Sequence, residues 1–129
     1  MLHNILVQYL RNVENAVRGL PDSYVERYVE EHLTSNRVNL RIRIRFADGC
    51  LLELNESAIR EDEDINHLGY RYHFQDKGNN LIFRYDNTPH FPELQSYPNH
   101  KHSPSAVIST EKPSIVDAII EAAQIRDLR

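Results

Sequence analysis

Apolar positions along the first twenty residues recur at helical spacing. Leu2, Ile5, Leu6, Tyr9, Leu10, Val13 and Val17 fall on one stripe, which predicts an amphipathic helix. Gly19 and Pro21 stop it. Residues 23–33 fit two readings. Ser23-x-x-Glu26 looks like a capping box, and Tyr24, Val25, Tyr28, Val29, His32 and Leu33 can share a helical face. Val25, Val29 and Leu33 also share one side of a strand, and Tyr and Val favour sheets.

Residues 37–47 carry a sharper signal. Val38, Leu40, Ile42, Ile44 and Phe46 alternate with Asn39, Arg41, Arg43 and Arg45. That is a strand with one apolar face and one arginine face. A three-residue loop, Ala47-Asp48-Gly49, pairs Phe46 with Cys50, Ile44 with Leu52, Ile42 with Leu54 and Arg43 with Glu53. This register keeps both faces consistent and requires Gly49 in a left-handed, bulged turn. A second hairpin follows. A Gly78-Asn79 turn pairs Phe74 with Phe83, Tyr72 with Tyr85, His73 with Arg84, and Arg71 with Asp86. Only Ile82 is out of place on the polar side. Ala106–Thr110 reads as a short strand. Pro113-Ser114 starts a final helix with Ile115, Ile119, Ala122, Ala123 and Arg126 on its stripe, and Val116 and Ile120 at the margin.

These elements predict an α+β fold: a single antiparallel sheet of five to six strands, with the N-terminal and C-terminal helices on its apolar face. No repeat, Gly/Ser linker or low-complexity tract marks a boundary, so residues 1–129 read as one domain. The opposite face should carry Arg41, Arg43, Arg45, Arg71, His73 and Arg84. An ordinary solvated sheet face also explains those residues, although Lys and Glu usually dominate such faces. Five arginines beside a His-rich segment favour phosphate or carboxylate binding.

Composition changes this picture little. Hydrophobic residues make up 40% and charged residues 26%, as expected of a soluble globular chain. The net charge of −4 does not advertise nucleic acid. Its distribution says more: acids crowd into 53–64 and the last helix, while arginines cluster at 37–45. One cysteine, Cys50, excludes an internal disulfide and fits a reducing cytoplasm. No apolar run approaches the roughly 20 residues of a membrane span, and the N-terminus lacks the features of a signal peptide.

Chemistry concentrates between Arg84 and His102. This stretch holds Arg84, Tyr85, Asp86, His90, His100, Lys101 and His102, and Pro89, Pro92, Pro98 and Pro104 stiffen it. The prolines predict an irregular loop rather than a helix or central strand. Ordered surface histidines with local hydrogen bonds are the bland alternative.

The blocks Tyr70-Arg71-Tyr72-His73-Phe74-Gln75, Leu81–Leu94 and Tyr97-Pro98-Asn99-His100-Lys101-His102 resemble the TumE-like toxins of bacterial and archaeal toxin–antitoxin pairs. The central run Arg84-Tyr85-Asp86-Asn87-Thr88-Pro89-His90-Phe91-Pro92-Glu93-Leu94, followed by His100-Lys101-His102, carries the resemblance, which covers roughly residues 22–125. Thr88 and Phe91 depart from it, standing where Ala and His are expected. The resemblance implies a ribonuclease acting on cellular RNA, restrained by a helix-turn-helix antitoxin encoded nearby. It also tips residues 23–33 toward strand, and it assigns no catalytic roles.

The residues themselves support metal-independent RNA cleavage with no cofactor. Such cleavage needs a base for the 2′-hydroxyl, an acid for the leaving oxygen, and cations for the phosphorane. His90, His100 and His102 are the candidate base and acid. Arg84 and Lys101 would hold the scissile phosphate. Asp86 would orient a histidine or pair with Arg71 across strands. Tyr85 would donate to phosphate from the rim, or lie in the core as its register favours. Arg41, Arg43, Arg45, Arg71 and His73 are the candidate RNA-binding residues. Two competing readings stay open: a metal site built on His100-x-His102 with His90 or Asp86, and a non-enzymatic protein whose arginine face docks an acidic partner. Self-association also stays open.

Overall fold

The computed structural model describes residues 1–129. Helix α1 (Asn4–Arg18) is followed by β1 (Ser23–Thr34), β2 (Arg37–Phe46), β3 (Leu51–Glu61), β4 (Asp64–Gln75), β5 (Leu81–Asp86), β6 (His100–His102), β7 (Val107–Ser109) and α2 (Ile115–Asp127). The strands form one antiparallel sheet in sequence order. Each strand after β1 therefore pairs with the one before it.

Period-two alternation decides what each face carries. On β2, Val38, Leu40, Ile42, Ile44 and Phe46 are buried, while Arg41 between them is exposed. The buried set joins Leu52 and Leu54 of β3, Tyr72 and Phe74 of β4, and Phe83 and Tyr85 of β5. Against this face lie Leu6, Leu10, Val13 and Val17 of α1 and Ile115, Ala118, Ile119 and Ala122 of α2. Burying an apolar side chain of this size contributes about 1.5–3 kcal/mol. The cluster thus fixes which face the helices cover and leaves the other face open. His3 caps α1 by accepting the Ile5 amide at Nδ1, and Ser114 caps α2 by accepting the Asp117 amide at its hydroxyl.

The expected registers are observed. Ile44 pairs with Leu52, Ile42 with Leu54 and Arg43 with Glu53. Gly49 has φ +94°, and its amide donates to the Phe46 carbonyl. In the next hairpin Tyr72 pairs with Tyr85, His73 with Arg84 and Phe74 with Phe83. Its turn is closed by Asp76, whose Oδ1 accepts the amides of Gly78 and Asn80. Asn79, not Gly78, supplies the positive φ there. Residues 23–34 are strand, as the family resemblance suggests.

The strand count is seven, because His100–His102 is itself a strand between β5 and β7. The proline-rich segment is thus less irregular than expected. Pro98 and Pro104 flank the triplet without entering it, so its own N–H groups stay available for pairing. On α2 the buried stripe uses Ala118, while Ile120 faces outward. The Arg126 guanidinium stacks over the Phe46 ring at 5.4 Å.

Candidate functional site

Strand β5 presents Arg84 and Asp86 to the open face and Tyr85 to the helices. Its pairing with β6 sets Arg84 beside His102, Asp86 beside His100 and Tyr85 beside Lys101. Alternation does the rest. His100 and His102 join Arg84 and Asp86, while Lys101 points to the helix side. There Lys101 Nζ donates to Glu121 Oε2 at 2.8 Å, and the Tyr85 hydroxyl donates to Glu121 Oε1 at 2.6 Å. Burial opposes the Lys101 charge, but its bonds to Glu121 and Tyr85 outweigh that and raise its pKa. The structure therefore does not bring Lys101 or Tyr85 to the histidines.

Asp86, His100 and His102 form a tight corner. Asp86 and His100 are buried, His100 to 1% exposure. His100 Nε2 lies 2.9 Å from Asp86 Oδ1, and His102 Nε2 lies 3.6 Å from Asp86 Oδ2. The Thr88 amide donates to Asp86 Oδ1, fixing the carboxylate. His100 Nδ1 lies 2.9 Å from the Pro98 carbonyl. A carbonyl oxygen only accepts, so Nδ1 carries the proton in this bond. Arg71 pairs with Asp86 in backbone register, but the carboxylate turns to the histidines instead. Phe91 packs edge-on against both imidazoles, with ring centroids 5.0 Å from His100 and 5.8 Å from His102. His102 is half-buried, and burial is the main cause lowering its pKa. His90 is exposed on the loop beside Phe91.

Next to this corner the sheet is concave. A hollow of about 520 Å³ is lined by Glu53, Arg71, His73, Gln75, Asn79, Leu81, Arg84 and His102. Arg84 Nε donates to His73 Nδ1 at 3.1 Å, and His73 Nε2 lies 2.7 Å from Gln75 Oε1. His73 therefore keeps its proton on Nε2 and serves as the support of Arg84. Burial first, then the Arg84 and Arg71 charges, lower its pKa against the Gln75 bond. A shallower hollow of about 330 Å³ along the same face includes Arg41, Arg71, Asn39 and Asn55.

The five arginines are not equivalent. Arg43 Nε bonds Glu26 Oε1 at 2.8 Å and its Nη1 bonds Glu53 Oε1 at 3.2 Å, while Arg45 Nε bonds Glu26 Oε2 at 3.3 Å. A β1 bulge between Val25 and Arg27 accompanies this placement of Glu26 on the arginine face. Arg43 and Arg45 thus arrive neutralised. Arg41 and Arg71 have no acidic oxygen within 4.0 Å. The structure assembles Arg71, His73, Arg84 and His102, and sets Arg43 and Arg45 apart.

Sequence reasoning missed one polar cluster on the helix side. Glu56 follows Leu52 and Leu54 in the core phase of β3 and is 6% exposed. Tyr72 donates to its Oε1 at 2.5 Å, Tyr9 of α1 donates to Oε2, and His67 Nε2 lies 3.2 Å from Oε2. Burial would raise the Glu56 pKa, but His67 and the two tyrosines hold it low. A charged residue in core phase was the available signal, since a buried charge needs partners. These atoms face α1, away from the concave surface, so they act as structure.

The fold and the corner define a small α+β protein with a His–Asp–Arg cluster on an open antiparallel sheet. The model of the Toxin TumE family matches residues 13–127. The chain belongs to that family, as a toxin component of a toxin–antitoxin pair, and an antitoxin is its implied partner. Comparison with curated proteins and with solved structures yields no match. No helix is long and apolar enough to cross a membrane.

Proposed function

We propose that this toxin is an endoribonuclease acting on cellular RNA, restrained by a helix-turn-helix antitoxin encoded beside it. The observation carrying this reading is the junction of the Asp86–His100–His102 corner with the hollow that holds Arg71 and Arg84. Phosphoryl transfer is mostly positioning and charge neutralisation, and this junction offers both. Arg84, braced by His73, presents its free guanidinium nitrogens to a phosphate, and Arg71 holds a neighbouring one. The 2′-oxygen attacks phosphorus as its proton passes to the corner. The P–O5′ bond breaks, and the leaving oxygen takes a proton from the exposed His90. The products are a 2′,3′-cyclic phosphate and a 5′-hydroxyl. In a metal-free reaction His102, the most accessible member of the corner, is the base.

Expression without the antitoxin in a bacterial host, with the 5′ ends of total RNA sequenced, tests this reading. Growth arrest with discrete new 5′-hydroxyl ends is expected. Growth arrest with an unaltered end profile would leave a toxin that is not a ribonuclease. The non-enzymatic reading, an arginine face that docks an acidic partner, loses support from Glu26 and Glu53, which already occupy Arg43 and Arg45.

A further inference from the structure

The most unusual atom in the corner is His100 Nε2. It is buried, and although 2.9 Å from Asp86 Oδ1 it lies outside hydrogen-bonding geometry and has no partner. The proton on Nδ1 is committed to the Pro98 carbonyl. A neutral ring carries only one N–H, so Nε2 then presents a bare lone pair to a carboxylate oxygen. Two lone pairs at that distance repel unless something positive lies at their edge.

The donor set fits a cation. One ligating atom each from Asp86, His100 and His102 lie within 4.8 Å of one another. Donors around a tetrahedral zinc stand about 3.3 Å apart, from bonds of roughly 2.0–2.1 Å. Each imidazole stands near that spacing from its own carboxylate oxygen, His100 Nε2 at 2.9 Å from Asp86 Oδ1 and His102 Nε2 at 3.6 Å from Asp86 Oδ2. His102 closes the set from the partly exposed side of the corner. The surroundings are also those of a metal site. Nδ1 of His100 is anchored on a carbonyl, the Asp86 carboxylate accepts the Thr88 amide, and Phe91 walls the corner. Two imidazoles and one carboxylate with an open position suit a first-row transition ion rather than Mg²⁺ or Ca²⁺.

We propose that Asp86, His100 and His102 bind a divalent transition-metal ion of the zinc class, with its open coordination position facing the hollow that holds Arg84. The role of this ion in catalysis rests on the ribonuclease reading, while its binding does not. With the ion bound, His102 would serve as a ligand rather than as the base, and the ion would supply a water of lowered pKa for that role.

Titration calorimetry on the chelator-treated, dialysed full-length protein, with ZnCl₂ as the only ligand, tests the site. One equivalent should bind with a micromolar or tighter Kd, and MgCl₂ at the same concentration should not. His102→Gln and Asp86→Asn should each weaken zinc binding on the order of 100-fold, while His32→Gln, which removes an exposed histidine on β1, should not. His102 sits at the partly exposed rim, so His102→Gln keeps the test valid if Asp86→Asn fails to fold. No stoichiometric zinc binding, or binding undiminished in His102→Gln, would overturn the metal site. RNA cleavage by a protein that binds no zinc would overturn the metal site alone and leave His102 as base. Zinc binding lost in His102→Gln, in a protein that cuts no RNA, would uphold the site and remove the ribonuclease reading.

Discussion

Arg84 Nε donates to Nδ1 of His73 at 3.1 Å across the β4–β5 pair. The bond exists because hairpin register sets these two residues opposite each other on the open face. It couples fold to site: the turn at residues 76–80 decides where the guanidinium proposed to bind phosphate sits. His73→Ala should therefore lower kcat/KM for RNA on the order of 10-fold, about 1.4 kcal/mol. Arg84→Ser should cost more, and the double variant no more than Arg84→Ser alone, since one acts through the other. Additive losses in single-turnover assays would show that His73 acts independently.

On the proposed ribonuclease reading, the same face predicts which arginines would contact RNA. Replacing Arg71 and Arg84 by Ser should flatten the dependence of log binding affinity on log salt by roughly 1.4 units, at about 0.7 per phosphate of a single strand. Replacing Arg43 and Arg45 should leave the slope nearly unchanged, because Glu26 and Glu53 already hold them. Filter binding across a salt series, with a non-cleavable RNA, separates the two pairs. A slope that falls most for Arg43 and Arg45 would reverse the assignment.

Gly49 predicts a stability effect. Its φ is +94°, and a Cβ built there would lie 2.6 Å from the Cβ of Lys77. Gly49→Val should cost about 1–3 kcal/mol, combining an unfavourable backbone region with a clash near the base of a side chain. Denaturant unfolding measures this. A midpoint equal to that of the parent would mean that the β2–β3 turn does not depend on this glycine.

Glu56 predicts behaviour in acid. His67 and the two tyrosines hold its folded pKa below the ordinary 4.5. The unfolded chain then takes up this proton more readily than the folded one. The stabilisation is present above pH 4.5 and is lost as pH falls through the lowered folded value. Thermal melts should show Tm dropping through that window, with a shallower drop in Glu56→Gln. At neutral pH the substitution should cost about 1.5–3 kcal/mol, the range for hydrogen bonds to a charged group. An identical acid profile in Glu56→Gln would assign the loss to other carboxylates.

Much of this was legible where both faces of a strand carry a pattern. On β2 and β3, only one register keeps Ile44 and Leu52 inward with Arg43 and Glu53 outward. The His73–Arg84 pairing follows from the same logic. His100–His102 was not legible as a strand, because three residues are too short for periodicity and neighbouring prolines argue against a sheet. The separation of Lys101 from its two histidines followed from that strand, since alternation places it on the other face. Glu26 reached Arg43 and Arg45 alongside a bulge, and local pattern does not reveal bulges. Glu56 did leave a trace: a carboxylate in core phase after Leu52 and Leu54, whose partners come from α1 and β4.

Cleavage of a defined RNA by the purified protein, compared with Asp86→Asn, tests the account most directly. Asp86 touches both histidines and lies buried beneath the concave surface, so no other residue reports on the corner as fully. Products with 5′-hydroxyl ends are expected, with a rate lower on the order of 10²-fold or more in Asp86→Asn and its circular dichroism unchanged. A folded Asp86→Asn protein that cuts the RNA at the parental rate would contradict it.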